Sequence, residues 1–466
     1  MKIVIVGAGI SGCGIYLLLK KHLPKPLSAE PHDITIYEAY DTDKDTTASA
    51  RGQGPTHSST LVVGGGLGVG ANGLNVLKRL DEDILRDVVS GGYIVPTMKM
   101  KTKGGTVLAR VQPSGNGDGN ADNGMNMVAS SRHWLWRCLR NRVPDDAIVN
   151  KTVTQVVAKG EGRNVVRFVD GTSVEADMVI GADGLNGLTK NALFPEAGSD
   201  PFPPIYEGLV GVGGFIPSSE VRHLVEKGTI NFVFGGNGFF GYFFADSAKS
   251  DPNRESPYHV SEPGESLGWW STYSVEQCPT PETLDPEAVT RQLRERHGNW
   301  KDPVVQKVLE TMQVKSMYPT WTVSPLPTWE RNGIVIVGDA AHALPPTSGQ
   351  GSSQSLEDAE ALTLFLCHHL RWAYREHRTD VASRKELISM AAKQYMELRL
   401  PRVTKILREA QSMQSSKRNM TTVQEYAMYL VMWIMGYFPS LVAKPLKAVI
   451  EYNVAEEVKK ILGKTD

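Results

Sequence analysis

A mixed α/β fold is predicted for this 466-residue chain, with a Rossmann-like unit, a β-rich second unit and a helical C-terminal segment. Three observations predict it. The chain opens on a β-branched run, a Gly-x-Gly-x-x-Gly turn and a helical pattern. Two more apolar runs, far downstream, also end in glycine-rich turns. Between those two the pattern changes to short β-rich runs. The length is too great for one simple core, so two or three domains are expected. Hydrophobic content of 41% and charged content of 22% are ordinary for a globular protein. Lys+Arg 50 against Asp+Glu 51 gives no basic surface for nucleic acid.

The first element is "KIVIVGAGISGCGIYLLLKKHL". Gly7 makes the tight turn, Gly9 lets the backbone approach a pyrophosphate, and Gly12 lets the helix pack on the strand. The helix N-terminus then faces the phosphates with about half a positive charge. The apolar run from Ile3 to Leu19 could pass for a signal peptide, but Lys2 is its only basic residue and glycines interrupt it. A second strand, "DITIYEA" (Asp33 to Ala39), ends in Glu38, 26 residues after Gly12 (38 − 12). That is near the offset of about 20 at which a carboxylate grips a ribose hydroxyl. An ordinary βαβ unit with a solvated Glu38 is the alternative; the two features together point to a dinucleotide.

"VEADMVIGADGLNGLTKNAL" (Val174 to Leu193) holds the second such strand, ending in Gly181-Ala182-Asp183-Gly184. The third is "GIVIVGDAAHALPPTSGQGSSQSLEDAEAL", where Gly349 and Gly351 let a backbone come close to a ligand and a helix starts near Ser352. One dinucleotide needs only one Rossmann turn. Three glycine-rich strand ends imply one large cofactor on a discontinuous domain, placed at residues 1–100, 125–195 and 319–380. Glu357 and Asp358 fall in the first turns of the new helix and favour its dipole, so they read as structural, whereas His342 could suggest a base.

Residues 101–124 and 196–318 form the expected second domain, an antiparallel sheet. "GTINFVFGGNGFFGYFFA" (Gly228 to Ala245) is a strong hairpin signal, and "LGWWSTYSV" (Leu267 to Val275) reads as another strand. Phe232, Phe234, Phe240, Tyr242, Trp269 and Tyr273 are candidates to line an apolar pocket. Strand residues alternate faces, so about half of them would instead fill the core. Pro113–Gly124 and Asp246–Ser266 are polar and turn-rich, and are expected to be mobile surface loops. Residues 381–466 are read as C-terminal helices, kinked or split by Pro401. "YAMYLVMWIMGYF" (Tyr426 to Phe438) is too short to span a bilayer, which needs about 20 residues. It is a core or interface helix, or a helix in a membrane surface that makes peripheral contact through residues 426–443. The C-terminal Lys464-Thr465-Asp466 matches no targeting signal. Cys13, Cys138, Cys278 and Cys367 are far apart with no CxxC, as in a reduced cytoplasmic protein with no metal site.

The ordered set GxGxxG, GADG and GDAAH…P…GQG…ED resembles the class A FAD-dependent monooxygenases, the para-hydroxybenzoate- and salicylate-hydroxylase-like enzymes with many fungal secondary-metabolite members. The resemblance covers roughly residues 1–415 and includes "GLGVGANGLNVLKRL" (Gly68 to Leu80) and "SSRHWLWRCL" (Ser130 to Leu139). It implies a GR2-type FAD-binding domain under a substrate sheet. It implies that Asp339 bonds the ribityl chain, that Asp183 belongs to the cofactor-binding set, and that Arg132 contacts the flavin side of the site. It also implies that Pro345 to Gly351 runs beside the isoalloxazine, with Ser352 opening a helix aimed at the flavin or pyrophosphate. The chain departs from the family at Gly187 and Lys190, where Ser and Arg are usual, and in the long polar segment after Glu38. Within that segment Arg51 is a candidate to approach flavin or substrate. The implied reaction is reduction of FAD by transient NADPH or NADH, then transfer of one oxygen from a flavin C4a-hydroperoxide. The substrate would be a hydrophobic aromatic or alkene natural product, hydroxylated or epoxidised, with O2 as co-substrate. The rival on the same fold is a flavin oxidase or dehydrogenase that releases hydrogen peroxide. A halogenase is disfavoured because "WLWRCL" lacks the isoleucine-proline such enzymes carry, and a non-enzymatic FAD-binding membrane scaffold is the remaining class.

Overall fold

Lys2–Val6 is the keystone of the first layer: a β-branched strand buried from Ile3 to Val6 and flanked on both sides by parallel neighbours. The computed structural model describes residues 1–27, 30–42, 66–113, 124–198, 200–280, 284–314, 317–378 and 380–463. Across the first sheet the strand order is Glu330–Arg331, Ile334–Ile336, Met178–Gly181, Lys2–Val6, Asp33–Glu38 and Ile148–Asn150. All neighbours are parallel except the outermost pair, Glu330–Arg331 with Ile334–Ile336. Helices Ile10–His22 and Gly351–Arg375 pack together beside this sheet and share its core. Val381–Gln414 packs on Gly351–Arg375 and belongs to the same core through Leu387, Ile388, Ala391 and Tyr395. It runs as one helix through Pro401, which therefore does not split it.

The second large sheet has seven strands in the order Tyr318–Thr322, Ile205–Pro217, Ser266–Ser274, Gly238–Phe244, Thr229–Gly235, Thr97–Thr102 and Val107–Val111. It is antiparallel except where Thr229–Gly235 runs parallel to Thr97–Thr102, so it is a mixed sheet. Two of its strands, Thr97–Thr102 and Tyr318–Thr322, straddle the domain boundaries expected at 100/101 and 318/319. The hairpin signal is met by Thr229–Gly235 and Gly238–Phe244, which pair Gly235 with Gly238 around Gly236-Asn237. A three-stranded sheet, Gly66–Val69, Met127–Ser131 and Tyr93–Val95, joins the two layers.

The polar stretch from Asp246 to Ser266 is a turn-rich loop tied down near both its ends. Ser247 bridges Pro263, the Ser247 hydroxyl donates to the Gly92 carbonyl (2.8 Å), and the Ser261 hydroxyl donates to Ser247 Oγ (2.6 Å), all buried. Its turn residues thus build a pinned excursion, whereas most of Pro113–Gly124 lies outside the described residues. No single helix among the described residues is long and apolar enough to cross a membrane.

Candidate functional site

Parallel topology gathers the three glycine-rich stretches. They follow three adjacent strands, Lys2–Val6, Met178–Gly181 and Ile334–Ile336, at the carboxyl edge where open α/β sheets bind ligands. The loops are fused there: Gly7 N donates to Tyr37 O (2.8 Å), Ala182 N to Val6 O (2.9 Å) and Val337 N to Gly181 O (2.9 Å). The fusion needs residues without side chains. Gly7 has φ +101°, and a Cβ there would stand 2.5 Å from Ala182 O; a Cβ on Gly12 would stand 1.9 Å from Gly7 O. Gly9, Gly349 and Gly351 differ, because a Cβ at any of them meets nothing within 4 Å. The first pair closes the backbone; the other three border open space, as backbone facing a ligand must.

Around that edge stand the expected polar groups. Glu38 ends its strand with Oε2 accepting from Ala8 N (2.6 Å) and Oε1 from Tyr40 N (3.0 Å), beside the glycine turn. Asp339 is the first residue of the short helix Asp339–His342, and Arg132 the first of Arg132–Arg140; both are half-buried and carry no hydrogen bond or ion pair among the described residues. Trp136 on the latter helix ties it to the turn, its indole N–H donating to Ala8 O (2.8 Å), a contact the sequence did not announce. Asp183 is fully turned into its own loop: its carboxylate accepts from the Thr189 amide and hydroxyl (both 2.8 Å), and burial pushes its pKa up. It organises the GADG loop, and a Cβ on Gly187 would strike that carboxylate at 2.3 Å. The other departure, Lys190, is buried with Asp200 (2.7 Å) and the Phe202 carbonyl. Arg51 lies outside the described residues.

The helix Gly351–Arg375 is seated against "GLGVGANGLNVLKRL". The Ser352 hydroxyl donates to Gly68 O (3.5 Å), Gly70 N donates to Ser353 Oγ (3.1 Å), and a Cβ on Gly73 would touch Ser353. Glu357 and Asp358, expected as structural, hold a buried ion network. Arg399 pairs with both carboxylates, Arg402 grips Glu357 with two bonds of 2.8 Å, and His342 Nε2 meets Asp358. Burial alone would raise the Asp358 pKa, but the His342 and Arg399 charges outweigh it and hold it at about 2. Arg399 and Arg402 were missed in the sequence; three carboxylates within four residues, Glu357, Asp358 and Glu360, all buried, were the available signal, since buried charges need partners.

The six aromatic candidates divide by sheet face. Strand pairing puts Phe240, Tyr242, Trp269 and Tyr273 on one face, covered by helices Pro286–His297 and Pro303–Thr311. Phe240 stacks on Trp269, Tyr242 OH donates to buried Asp302 (3.2 Å), and Tyr273 OH donates to Gln292 (3.1 Å). These four are core residues, and their assignment to the pocket is corrected. Phe232 and Phe234 are on the opposite face, with Phe239, Phe243 and Trp270. Trp270 is the centre of this face, its ring 5.7 to 6.0 Å from those of Phe232, Phe239 and Phe243. Gly211, Gly213, Gly241 and Gly268 share the face; the Trp270 ring lies over Gly241, where a Cβ would stand 2.3 Å from it, and the Phe243 ring lies over Gly268, where a Cβ would stand 2.8 Å from it. A Cβ on Gly66 would strike the Phe243 ring at 2.3 Å, so the face borders the strand Gly66–Val69, which receives Ser352. Glycines at period two were the signal that could have found this face.

A site of this kind, an extended cradle at the edge of a parallel sheet opening onto an apolar, flat face of a second sheet, defines the class of flavin-dependent monooxygenases. Comparison with known proteins agrees. The model of the FAD binding domain family matches residues 148–394, more than half of the chain, and the chain belongs to that family. It is 26% identical over 399 residues to 6-hydroxynicotinate 3-monooxygenase of Pseudomonas fluorescens, covering 83% of this chain and 90% of that one. Salicylate hydroxylase of Pseudomonas putida is 23% identical, covering 88% and 83%. Klebsiella pneumoniae HpxO, solved with FAD and uric acid, superposes with a TM-score of 0.71 at 18% identity, covering 97% and 96%. The protein is an FAD-dependent monooxygenase of the salicylate-hydroxylase type, using NAD(P)H and O2. Its residues fit FAD: open backbone at Gly9, Gly349 and Gly351, and half-buried Asp339 and Arg132 without hydrogen-bond or ion-pair partners among the described residues.

Proposed function

We propose that this monooxygenase hydroxylates or epoxidises a hydrophobic aromatic or alkene natural product, in secondary metabolism and in the cytoplasm. The observation that carries the substrate class is the ring-lined face built from Phe232, Phe239, Phe243 and Trp270, on which glycines let the Trp270 and Phe243 rings lie against the sheet. Bound FAD supplies the electrons and activates O2; the protein binds, orients and excludes water. In this reading Gly9 and the N-terminus of Ile10–His22 receive the pyrophosphate and Glu38 the ribose. Asp339 holds the ribityl chain, Arg132 stands at the flavin, and Gly349 to Ser352 lie along its edge, where a helix N-terminus stabilises negative charge on the reduced ring. Trp270 and Phe232 position the substrate ring. The reading extends to peripheral membrane contact through residues 426–443, where the exposed side chains are apolar and uncharged.

The test is NADPH and NADH consumption by the purified yellow protein against indoles, phenols and prenylated aromatics, with peroxide and product mass followed together. Stimulated consumption with a product one oxygen atom heavier is expected. Turnover that gives only peroxide and a product two hydrogens lighter would replace this reading by an oxidase.

A further inference from the structure

We propose that the elbow formed by Thr422–Gly436 and Pro439–Ile450 is a docking surface for an anionic phospholipid bilayer and that it holds the aromatic substrate face beside the membrane; the second part rests on the substrate reading above. Ten large apolar side chains are exposed within the short stretch from Val423 to Leu441, whereas the other exposed ones are scattered over the described residues. At the elbow Tyr437 is 66% exposed, Phe438 54% and Leu441 68%.

The outward face is fixed, because the inward face is locked. Glu425, Met428, Tyr429 and Met432 recur at helical spacing toward the substrate sheet. Tyr429 OH donates to Phe234 O (2.7 Å), Glu425 pairs with Lys103 (2.8 Å), and Gly436 rests on the edge strand, where a Cβ would meet Leu108 O at 2.5 Å. Met428 and Met432 pack against Phe234 and Phe239, so one helix touches the aromatic face on its inner side and presents Tyr426, Leu430, Trp433 and Ile434 outward. The expectation of one aromatic stripe at 429, 433 and 437 is resolved by this split: Tyr429 is buried, whereas Trp433 and Tyr437 are outside.

Three features select a bilayer as the occupant. From Tyr426 to Ile450 the only charged residues are Lys444 and Lys447, both cationic and both exposed, as anionic head groups require. Lys444 has no ion pair among the described residues, and Lys447 meets Glu451 at 3.4 Å. Trp433, Tyr437 and Tyr426 are the residue types that sit at head-group depth. The helices are bent by 86°, with 15 and 12 residues, or about 22 and 18 Å, too short to span a core of about 30 Å. A bent apolar ridge with lysines on its second helix suits partial burial in the interface.

The experiment is flotation of the FAD-loaded full chain with phosphatidylcholine vesicles, with and without phosphatidylserine. Variants Trp433→Glu and Leu441→Glu, both at exposed sites, and the pair Lys444→Glu and Lys447→Glu are compared, with flavin content and gel-filtration volume as controls. Binding is expected to vesicles containing phosphatidylserine. A loss of about tenfold or more is expected from either apolar-to-Glu change, as withdrawal of one large apolar side chain implies, and the lysine pair should lose only the phosphatidylserine-dependent part. Wild-type protein that stays unbound to both vesicles overturns the proposal. So does a wild-type dimer that Trp433→Glu converts to monomer without changing flotation, which would assign the ridge to a second copy. Neither result depends on turnover, so failure of the monooxygenase reading would be seen separately, as absence of an oxygenated product.

Discussion

The cofactor cradle and the substrate sheet use opposite means. In the cradle the proposed binding surface is main chain: Gly7 and Gly12 are closed against backbone, Gly9 and Gly351 are open, and side chains enter only at the margins through Glu38, Arg132 and Asp339. In the seven-stranded sheet the proposed binding surface is side chain, and the glycines at 213, 241 and 268 serve as clearance for Trp270 and Phe243. A backbone site constrains residue type at each position, because a Cβ collides with main chain at Gly7 and Gly12 and would enter the open space at Gly9 and Gly351. A side-chain face constrains only alternation, so two faces of one sheet can look alike in the sequence and differ completely in role.

Six substitutions sharpen that contrast, in decreasing order of effect. Gly12→Val is expected to abolish folding, since even the Cβ would overlap Gly7 O, whereas Gly9→Val keeps the fold and blocks the pyrophosphate; circular dichroism and flavin content separate the two. Arg399→Ala leaves Glu357 and Asp358 buried with lost partners and is expected to lower stability by about 3–5 kcal/mol, read from urea unfolding. Trp269→Ala and Trp270→Ala are adjacent changes with different outcomes. The first excavates the covered core, where loss of such a ring costs about 3–5 kcal/mol; the second should raise KM with a smaller change in stability. Equal stability losses and equal kinetics would break the assignment of faces. Asp339→Ala, on the proposed placement of FAD, is expected to cost about 1.5–3 kcal/mol of FAD affinity, the worth of one charged hydrogen bond, with the fold unchanged.

A pH prediction follows from the same network. The folded Asp358 pKa of about 2 lies below the unfolded carboxylate value of about 4. Its ionised form is therefore favoured by folding. The stabilisation is complete above about pH 4 and is lost as pH falls toward 2. Thermal melts across that window should show a steeper loss in wild type than in Asp358→Asn.

How much could be read in advance follows the same division. Each glycine-rich strand end was visible in the sequence, because turn, close approach and helix packing each demand glycine at a set spacing. That the three belong together needed the strand order, in which residues 334–336, 178–181 and 2–6 lie side by side. Phe240, Tyr242, Trp269 and Tyr273 were indistinguishable from Phe232 and Trp270 by composition; only registry separates them. The Arg399 and Arg402 pairings were hidden because their partners lie more than 40 residues away in sequence. Asp246–Ser266 looked mobile because turn residues predict loops equally well whether or not their hydroxyls find buried acceptors.

The most direct measurement is titration of the apoprotein with FAD, followed by quenching of flavin fluorescence, for wild type, Gly9→Val and Asp339→Ala of verified secondary structure. Saturable binding by wild type, its loss in Gly9→Val and a weakening of about tenfold or more in Asp339→Ala are predicted. Wild-type affinity in a folded Gly9→Val protein would contradict the cradle, and with it the placement of the substrate face above it.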